Sequence, residues 1–337
     1  MRHLIIATAL ATQGSALLAD APGMRDFSID APHHGRAVTG KIWYPATGDS
    51  ETVIFAENPV FQGVTAAPDA SVAPGQHPVV LLSHGFGGSM YSMAWLASGL
   101  AERGAIVVSV NHPNTTWRDF DLAKGTRHWT RAQDLSRAMD WLAADPTFAP
   151  LVDNSRIMAA GFSYGGWTAL SLGGARGNQD GIVNHCSTHG DDTGYCDILL
   201  SDEADISKVD PEIWNASYRD ARVTHVAAID PGFVWGIEAE DTSDLVANLR
   251  LIGFGDLETR LSGTDFETSG FADLVPEAEA EYIIPAVHFT GMPLCKPAGT
   301  QILEDENDDP VCTDPDGTDR AAVHAQVIDR LASDLGL

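Results

Sequence analysis

Short apolar runs alternate with longer amphipathic segments along most of the chain. Residues 77–83, 105–110 and 156–160 are almost continuously apolar and are bounded by turn-forming residues, which is typical of strands buried on both faces. Residues 91–103 and 129–142 carry apolar side chains at helical spacing. Strands that alternate with helices in this way predict an α/β fold with a mostly parallel sheet and helices on both of its faces.

The same alternation returns in the second half of the chain. Residues 223–229, 249–254 and 282–284 predict three further strands, and residues 319–335 predict a final amphipathic helix with an aspartate near its start. Residues 174–222 are polar and interrupt the alternation. Because this segment directly follows the helix after the third strand, it is predicted to be a cap-like insertion.

The amino-terminal part has a weaker pattern. Residues 20–36 are rich in Pro, Gly and His and predict an extended lead-in. Residues 38–44 predict an edge strand that a proline closes. Residues 45–77 predict a long loop with one short strand near 52–55, and residues 304–319 predict an acidic loop.

A Gly-x-Ser-x-Gly motif, Gly161 to Gly165, stands between a predicted strand and a predicted helix. This context is typical of a nucleophile elbow, in which a tight turn exposes Ser163 at its tip. Small residues two positions to either side avoid a clash between strand and helix, which explains the two glycines. The backbone N–H of Tyr164 lies at a helix N-terminus and is predicted to bind an oxyanion.

A nucleophilic serine needs a base and a second oxyanion donor. The glycine-rich segment His84–Gly88 follows the first buried strand, and the N–H of Phe86 is predicted to be that donor. His288 lies four residues past Ile284 in the last strand–helix connection and is the predicted base. Asn111–Pro113 predicts a turn. Seven other histidines are assigned to loops, to extended stretches or, for the last of them, to a solvated position of the final helix: His33, His34, His77, His128, His185, His189 and His324.

Two aspartates could orient the base. Asp256 follows the strand just before the one that leads to His288, and Asp230 follows the preceding strand. Both lie between Ser163 and His288 in the chain, which is the order this kind of triad requires. Asp230 is stiffened by Pro231, yet both aspartates are also common turn residues, and the residues alone do not choose between them.

The chain resembles the α/β-hydrolase superfamily over nearly all of residues 20–337. Within it, the chain is similar to bacterial dienelactone-hydrolase-like and platelet-activating-factor-acetylhydrolase-like esterases. The resemblance implies that the acid follows the strand after the elbow unit, which favours Asp230 over Asp256. True dienelactone hydrolases use a cysteine nucleophile, so only their fold, and not their activity, is expected to carry over to a chain with Ser163. The segments that carry the resemblance are His84–Gly88, Gly161–Gly166, Ala228–Gly232 and His288–Phe289.

Charge and hydropathy restrict the partners. The chain has 47 acidic and 20 basic residues among 337, a formal net charge of −27. So acidic a protein is not expected to bind nucleic acid or an anionic membrane surface. No apolar run after the first 19 residues is long enough to predict a membrane span.

The first residues and the cysteines predict an exported protein. Residues 1–19 have a short basic start and an apolar stretch, as in a secretory signal peptide, which leaves 20–337 as one hydrolase domain in the periplasm or outside the cell. An even number of cysteines in such a chain predicts two disulfides. The close pairs Cys186–Cys196 and Cys295–Cys312 are the simplest of the three connectivities. A zinc site is disfavoured because no Cys-x-x-Cys spacing is present.

No cofactor and no metal are predicted. The segment Asp314–Asp319 resembles half of a calcium loop, but it contains proline and lacks the later glutamate, so a solvated acidic loop is expected.

The sequence therefore predicts a secreted or periplasmic serine hydrolase that cleaves small carboxylic esters, preferably short-chain ones, through an acyl-enzyme. The first alternative is a lipase or polyester hydrolase that acts on larger apolar substrates. An inactive hydrolase-like binding module is the alternative from another class.

Overall fold

The computed structural model describes residues 21–190 and 192–337, and a ten-stranded sheet forms the centre of this part of the chain. Its strands are β1 (Gly23–Ala31), β2 (Arg36–Tyr44), β3 (Val53–Phe55), β4 (Val64–Pro68), β5 (His77–Ser83), β6 (Ile106–Val110), β7 (Val152–Phe162), β8 (His225–Ile229), β9 (Asn248–Phe254) and β10 (Glu279–Ile283). Across the sheet the strand order is β10-β9-β8-β7-β5-β6-β2-β1-β4-β3. The six strands from β10 to β6 in this order are parallel, and β2 is antiparallel to both of its neighbours.

Helices cover both faces of this sheet, as predicted. The helices of eight residues or more are α1 (Ala94–Glu102), α2 (Trp129–Ala144), α3 (Tyr164–Gly173), α4 (Gln179–His189), α5 (Gly299–Glu306) and α6 (Arg320–Asp334). α1 and α6 pack over one face, and α2 and α3 pack over the other. Shorter α-helices are Leu122–Gly125, Cys196–Leu199, Pro211–Trp214, Ala239–Thr242 and Phe271–Leu274.

The continuous apolar runs follow from this arrangement. Successive side chains of a strand point to opposite faces. In β5, Val79 and Leu81 therefore join the core under α2 and α3, while Val80 and Leu82 join the core under α1 and α6. A strand with a helix layer on each side has no solvent face, so it shows no polar alternation.

The amino-terminal predictions are partly wrong. β2 is an inner strand, because it pairs with β6 on one side and with β1 along nine residues on the other. The predicted lead-in at 20–36 contains the whole of β1, and the predicted loop at 45–77 contains β4 as well as the short strand β3. The start of the acidic segment at 304–319 is the end of α5. β1 and β4 are strands because each is hydrogen-bonded to a neighbouring strand, and the local sequence pattern does not show such partners.

Residues 174–222 carry α4 and two short helices after the elbow helix α3. Both predicted disulfides are present. Cys186–Cys196 ties α4 to the next short helix, and Cys295–Cys312 closes a loop near the carboxyl terminus. The predicted signal peptide at 1–19 lies outside the described residues. Among the residues that are described, no helix combines the length and the apolar character needed to cross a membrane.

Candidate active site

Ser163 stands in a strained turn between β7 and α3. Its φ is +58° and its ψ is −121°, a conformation that L-residues rarely adopt. A Cβ on Gly161 would lie 2.1 Å from the carbonyl oxygen of Gly165, and a Cβ on Gly165 would lie 2.2 Å from that of Ser83. The motif therefore needs glycine on both sides of the serine because backbone occupies the space.

His288 and Asp230 meet at the same edge of the sheet. Nδ1 of His288 lies 2.5 Å from Oδ2 of Asp230. The same oxygen accepts a hydrogen bond from the Thr264 hydroxyl at 3.0 Å, and Oδ1 accepts one from the backbone N–H of Phe254 at 3.1 Å. Asp230 is only 2% exposed, so these two donors hold its carboxylate in one orientation. The carboxylate in turn orients the imidazole of His288.

Asp256 lies elsewhere. It is exposed, and its Oδ1 accepts hydrogen bonds from the backbone N–H groups of Glu258 and Thr259 at 3.0 and 3.1 Å. These hydrogen bonds lower the pKa of the Asp256 carboxyl, and the bond from the N–H of Glu258 has the largest effect. Asp256 is thus a turn-capping residue, and the hydrogen bonds of its carboxylate lie within its own turn.

The glycine-rich segment passes directly over the elbow. A Cβ on Gly85 would lie 3.2 Å from Cβ of Ser163, a tighter contact than most Cβ atoms make, so glycine lets the backbone pass here without displacing the serine. Tyr164 is the first residue of α3, and its ring packs edge-on against Phe86 at 5.7 Å. The two predicted oxyanion donors, the N–H groups of Phe86 and Tyr164, therefore belong to adjacent segments beside Ser163.

A buried polar network supports this segment from behind, and the sequence did not reveal it. Arg131 of α2 donates to the carbonyl of His84 and to the hydroxyls of Ser83, Thr115 and Thr168. Burial lowers the pKa of Arg131 to about 10. Burial also lowers the pKa of His84 well below its usual value, so its imidazole is neutral. Nε2 of His84 accepts the backbone N–H of His112, which leaves Nδ1 to donate to the Gly85 carbonyl at 2.7 Å.

The network contains a second Ser–His–Asp arrangement. Nε2 of His112 lies 2.9 Å from Oγ of Ser83, and its Nδ1 lies 2.9 Å from Oδ2 of Asp134. The predicted turn at 111–113 therefore carries a buried structural histidine. Ser83, His112 and Asp134 are each at most 1% exposed, so no substrate reaches this serine.

The turn that bears His288 is anchored on three sides. His324 donates from Nε2 to the carbonyl of Thr290 at 2.9 Å, and Trp95 donates to that of Gly291 at 3.1 Å. The Thr290 hydroxyl donates to Asp314, which also receives two hydrogen bonds from Arg320. The prediction for His324 was wrong: it is 5% exposed and stacks on Trp95.

The partial calcium motif has a different use. The carboxylate of Asp314 is saturated by Arg320 and by the turn that holds His288. Two other histidine assignments were wrong, because His185 and His189 lie in helix α4 and not in a loop. His128 lies in a turn, as predicted, but it is buried against Trp214. Helical context and tertiary burial, which the local pattern did not show, place them there.

A cavity of about 210 Å³ opens beside Ser163. One wall is aromatic: Phe233 stacks on Tyr164 at 5.0 Å and on Tyr195 at 5.7 Å. Segment 174–222 contributes Tyr195 and several apolar neighbours to the lining. The cavity is comparable in size to a 150 Å³ engineered site that holds benzene, so it accepts a short acyl chain or one ring.

Sequence comparisons match the part of the chain that contains the elbow. The model of the prolyl oligopeptidase family matches residues 79–183. The chain is 32% identical to cutinase 2 of Thermobifida cellulosilytica over 99 residues, which are 29% of this chain and 34% of that protein. It is 29% identical to lipase 1 of a Moraxella species over 135 residues, 39% of each protein. The chain thus spans about a third of the length of the curated relatives it matches.

Structural similarity extends over the whole fold. A ferulic acid esterase from Streptomyces cinnamoneus has a TM-score of 0.59 at 19% identity, covering 96% of this chain and 91% of the esterase. A dienelactone hydrolase-like promiscuous phosphotriesterase from metagenomic libraries has a TM-score of 0.50 at 16% identity, covering 94% of this chain and 99% of that one. With the ten-stranded sheet and the strained elbow at Ser163, these similarities establish that the chain has the α/β-hydrolase fold.

Proposed function

We propose that this protein is a serine hydrolase that cleaves carboxylic esters through an acyl-enzyme. The observation that carries the proposal is the His288–Asp230 pair. Both residues follow the carboxyl ends of parallel strands, as the strained Ser163 does, and Ser163 lines an apolar cavity. The phenyl ring of Phe162, the residue before the serine, stacks on His288 at 4.6 Å. The cutinase and lipase similarities support the same reaction class.

Each residue has one role in the proposed reaction. His288 takes the proton from the Ser163 hydroxyl as its oxygen attacks the ester carbonyl, and Asp230 stabilises the resulting imidazolium. The N–H groups of Phe86 and Tyr164 bind the oxyanion, each contributing about 3 kcal/mol. His288 then protonates the leaving alcohol. Water, deprotonated by His288, attacks the acyl-enzyme and releases the carboxylic acid and free Ser163.

The cavity supports short acyl groups as substrates. At about 210 Å³ it is smaller than the 300–1,000 Å³ of drug-sized ligand pockets. Segment 174–222 acts in this proposal as a cap, because Tyr195 and Ile198 close one side of the cavity. The Cys186–Cys196 disulfide joins two helices of that cap.

A polyester or lipid substrate is the second candidate, and exposed apolar side chains near the cavity favour it. Leu261 lines the cavity and is 44% exposed. Phe120 is 52% exposed and packs edge-on against Phe86. It lies in a small antiparallel hairpin of Thr115–Thr116 and Asp119–Phe120, and Trp117 at the turn of that hairpin is 63% exposed. An apolar rim of this kind suits a substrate longer than the cavity itself.

Export to the periplasm or the medium is part of the proposal. Two disulfides support it, since disulfides persist in oxidising compartments. Fractionation of the producing cells, with amino-terminal sequencing of the mature protein, tests for removal of residues 1–19.

A serine-reactive fluorophosphonate tests the catalytic assignment. We expect the probe to label Ser163 in the full chain, as mapped by peptide mass spectrometry, and Ser163→Ala to be unlabelled. Ser155→Ala is the matched control, because Ser155 is exposed at the start of β7 and its hydroxyl donates to Asp153, two residues earlier. A wild-type protein that folds and stays unlabelled would exclude the enzyme and favour a binding module.

Hydrolysis rates separate the two substrate classes. A p-nitrophenyl ester series is compared with a solid polyester film on the same enzyme. We expect the highest kcat/KM on short acyl chains if the cavity limits the substrate. Soluble products released from the film at a comparable rate would instead favour the polyester hydrolase.

A further inference from the structure

Two adjacent histidines and one buried carboxylate converge away from the proposed catalytic pair. Nε2 of His33 lies 2.8 Å from Oδ1 of Asp134, and Nε2 of His34 lies 3.0 Å from the same oxygen. One ligand atom from each of the three residues falls within 4.8 Å of the other two. The side chains are 16%, 3% and 0% exposed in that order, so the cluster opens to solvent only beside His33.

The fold builds this cluster from two distant elements. His33 and His34 occupy the tight turn between β1 and β2, closed by the hydrogen bond from the N–H of His34 to the carbonyl of Ala31 at 2.9 Å. Asp134 lies on α2, a hundred residues later. Because the turn is short and the helix is packed on the core, both imidazoles are held at the carboxylate.

The surroundings of Asp134 favour the binding of a cation between the two histidines and its carboxylate. Within residues 21–190 and 192–337, its ion-pair partners are the histidines His33, His34 and His112, and none is a lysine or arginine. A buried carboxylate that no lysine or arginine neutralises is a suitable ligand for a cation, because buried charges are stable only when they are paired or bind a metal.

The distances suit a small tetrahedral ion. Ligand atoms about 2.0–2.1 Å from a tetrahedral zinc lie roughly 3.3 Å from one another. Oδ1 of Asp134 lies 2.8 Å from Nε2 of His33 and 3.0 Å from Nε2 of His34, so these ligand atoms need to move apart by only a few tenths of an ångström. A hydrogen bond from His112 to Oδ2 at 2.9 Å orients the carboxylate from behind, as outer partners do in zinc sites.

We propose that His33, His34 and Asp134 form a binding site for a divalent transition-metal ion, with zinc as the best fit. Each histidine binds through Nε2, so its proton resides on Nδ1, and Asp134 binds through Oδ1. Two imidazoles and one carboxylate favour zinc over magnesium or calcium, which prefer oxygen ligands. Solvent beside His33 leaves room for a water as fourth ligand.

The site is connected to the oxyanion segment. Asp134 holds His112, His112 accepts from Ser83, and Ser83 precedes His84 and Gly85 over the elbow. A bound ion would fix the Asp134 end of this chain of hydrogen bonds. The role is positioning, since the cluster does not contact the cavity beside Ser163.

Calorimetric titration of the metal-free full chain with zinc chloride tests the proposal. We expect one equivalent to bind, and we expect His34→Ala and His33→Gln each to weaken binding at least about 100-fold, since loss of merely an outer partner costs about 10- to 100-fold. Cysteine thiolates do not compete, because Cys186, Cys196, Cys295 and Cys312 are all in disulfides. Circular dichroism confirms that the variants are folded.

His189→Ala is the matched control, because His185 and His189 stack on each other at 4.9 Å on helix α4 and could bind zinc by themselves. We expect the control to retain wild-type affinity and the visible bands of tetrahedral cobalt(II), and His34→Ala to lose both. Wild-type protein that binds no zinc overturns the proposal. So does a zinc site lost in His189→Ala but kept in His34→Ala. Both readouts are independent of ester hydrolysis.

Discussion

Nδ1 of His288 lies 2.5 Å from Oδ2 of Asp230, although the two residues are 58 positions apart in the chain. Asp230 itself has a φ of +45°, which is rare for a residue with a side chain. The backbone N–H of Phe254 and the hydroxyl of Thr264 hold its carboxylate in this orientation. The imidazole is thereby fixed in one tautomer, with Nε2 free to face a proton donor.

Asp230→Asn should lower kcat on short-chain esters by on the order of 10⁴, because an amide donates to the imidazole and favours the wrong tautomer. The measurement is steady-state hydrolysis of p-nitrophenyl esters. Asp256→Asn is the matched control and should retain kcat within a few-fold, since Asp256 bonds only within its own exposed turn. A collapse of kcat in the control alone would transfer the acid role to Asp256.

Arg131→Met should lower both stability and turnover. The change leaves the carbonyl of His84 and the hydroxyls of Ser83, Thr115 and Thr168 without a buried donor. We expect a loss of at least about 2 kcal/mol in the free energy of unfolding. We also expect a lower kcat with little change in KM, because the oxyanion segment loses its support.

Arg137→Met is the control for that variant. Arg137 lies on the same helix, is half-buried, and donates to the carbonyl of Asp30. It should be stable and fully active in the same urea titration and ester assay. Equal effects of the two substitutions would mean that the helix as a whole, and not the guanidinium of Arg131, supports the site.

Ile198→Ala should shift substrate preference towards longer acyl chains. Ile198 lines the cavity and is only partly buried, so its truncation enlarges the acyl space at a modest cost in stability. The measurement is kcat/KM over a p-nitrophenyl ester series. Ile213→Ala, in the same segment but 44% exposed and outside the lining, should leave the preference unchanged. No shift in the first variant would argue that acyl groups bind elsewhere.

Stability should fall as the pH is lowered from about 6.5 to 4. Burial lowers the pKa of His112, His128 and His324 from 6.5 to about 4 in the folded protein. Between these values the unfolded chain binds protons that the folded chain does not, so protonation favours unfolding and stability increases with pH. Urea midpoints across this range measure the effect.

His324→Gln should flatten that pH dependence, because one of the three groups no longer titrates. The variant should also be less stable at pH 7, since the imidazole stacks on Trp95 and donates to Thr290. A wild-type midpoint that stays constant from pH 7 to pH 4 would contradict the assignment of these histidines as buried and neutral.

Local pattern was sufficient for the parts of the fold that have local causes. The apolar run at 77–83 became a strand with those bounds, and Asp319 caps the final helix by accepting the N–H of Ala322. The role of the glycines around Ser163 could be predicted from the sequence, because so tight a turn leaves no space for a side chain. The cysteine pairs followed from their short separations.

Pairing partners were harder to predict. β2 was expected at an edge, since its own residues do not show that β1 lies beside it. His112 and His324 were expected in a turn and at a solvated position, whereas each is buried against groups far away in sequence. A polar side chain is buried only when distant donors and acceptors satisfy it, and local periodicity does not encode them.

The sequence by itself determined the strand–helix alternation, the elbow around Ser163 and the order of serine, aspartate and histidine. These depend on side-chain volume, backbone freedom and apolar period, which are properties of neighbouring residues. Only the tertiary structure decided that Asp230 rather than Asp256 reaches His288, and that His33 and His34 meet Asp134. Both results depend on where separate strands and helices bring side chains together, because hydrogen bonds between such groups act over a few ångströms and not along the chain.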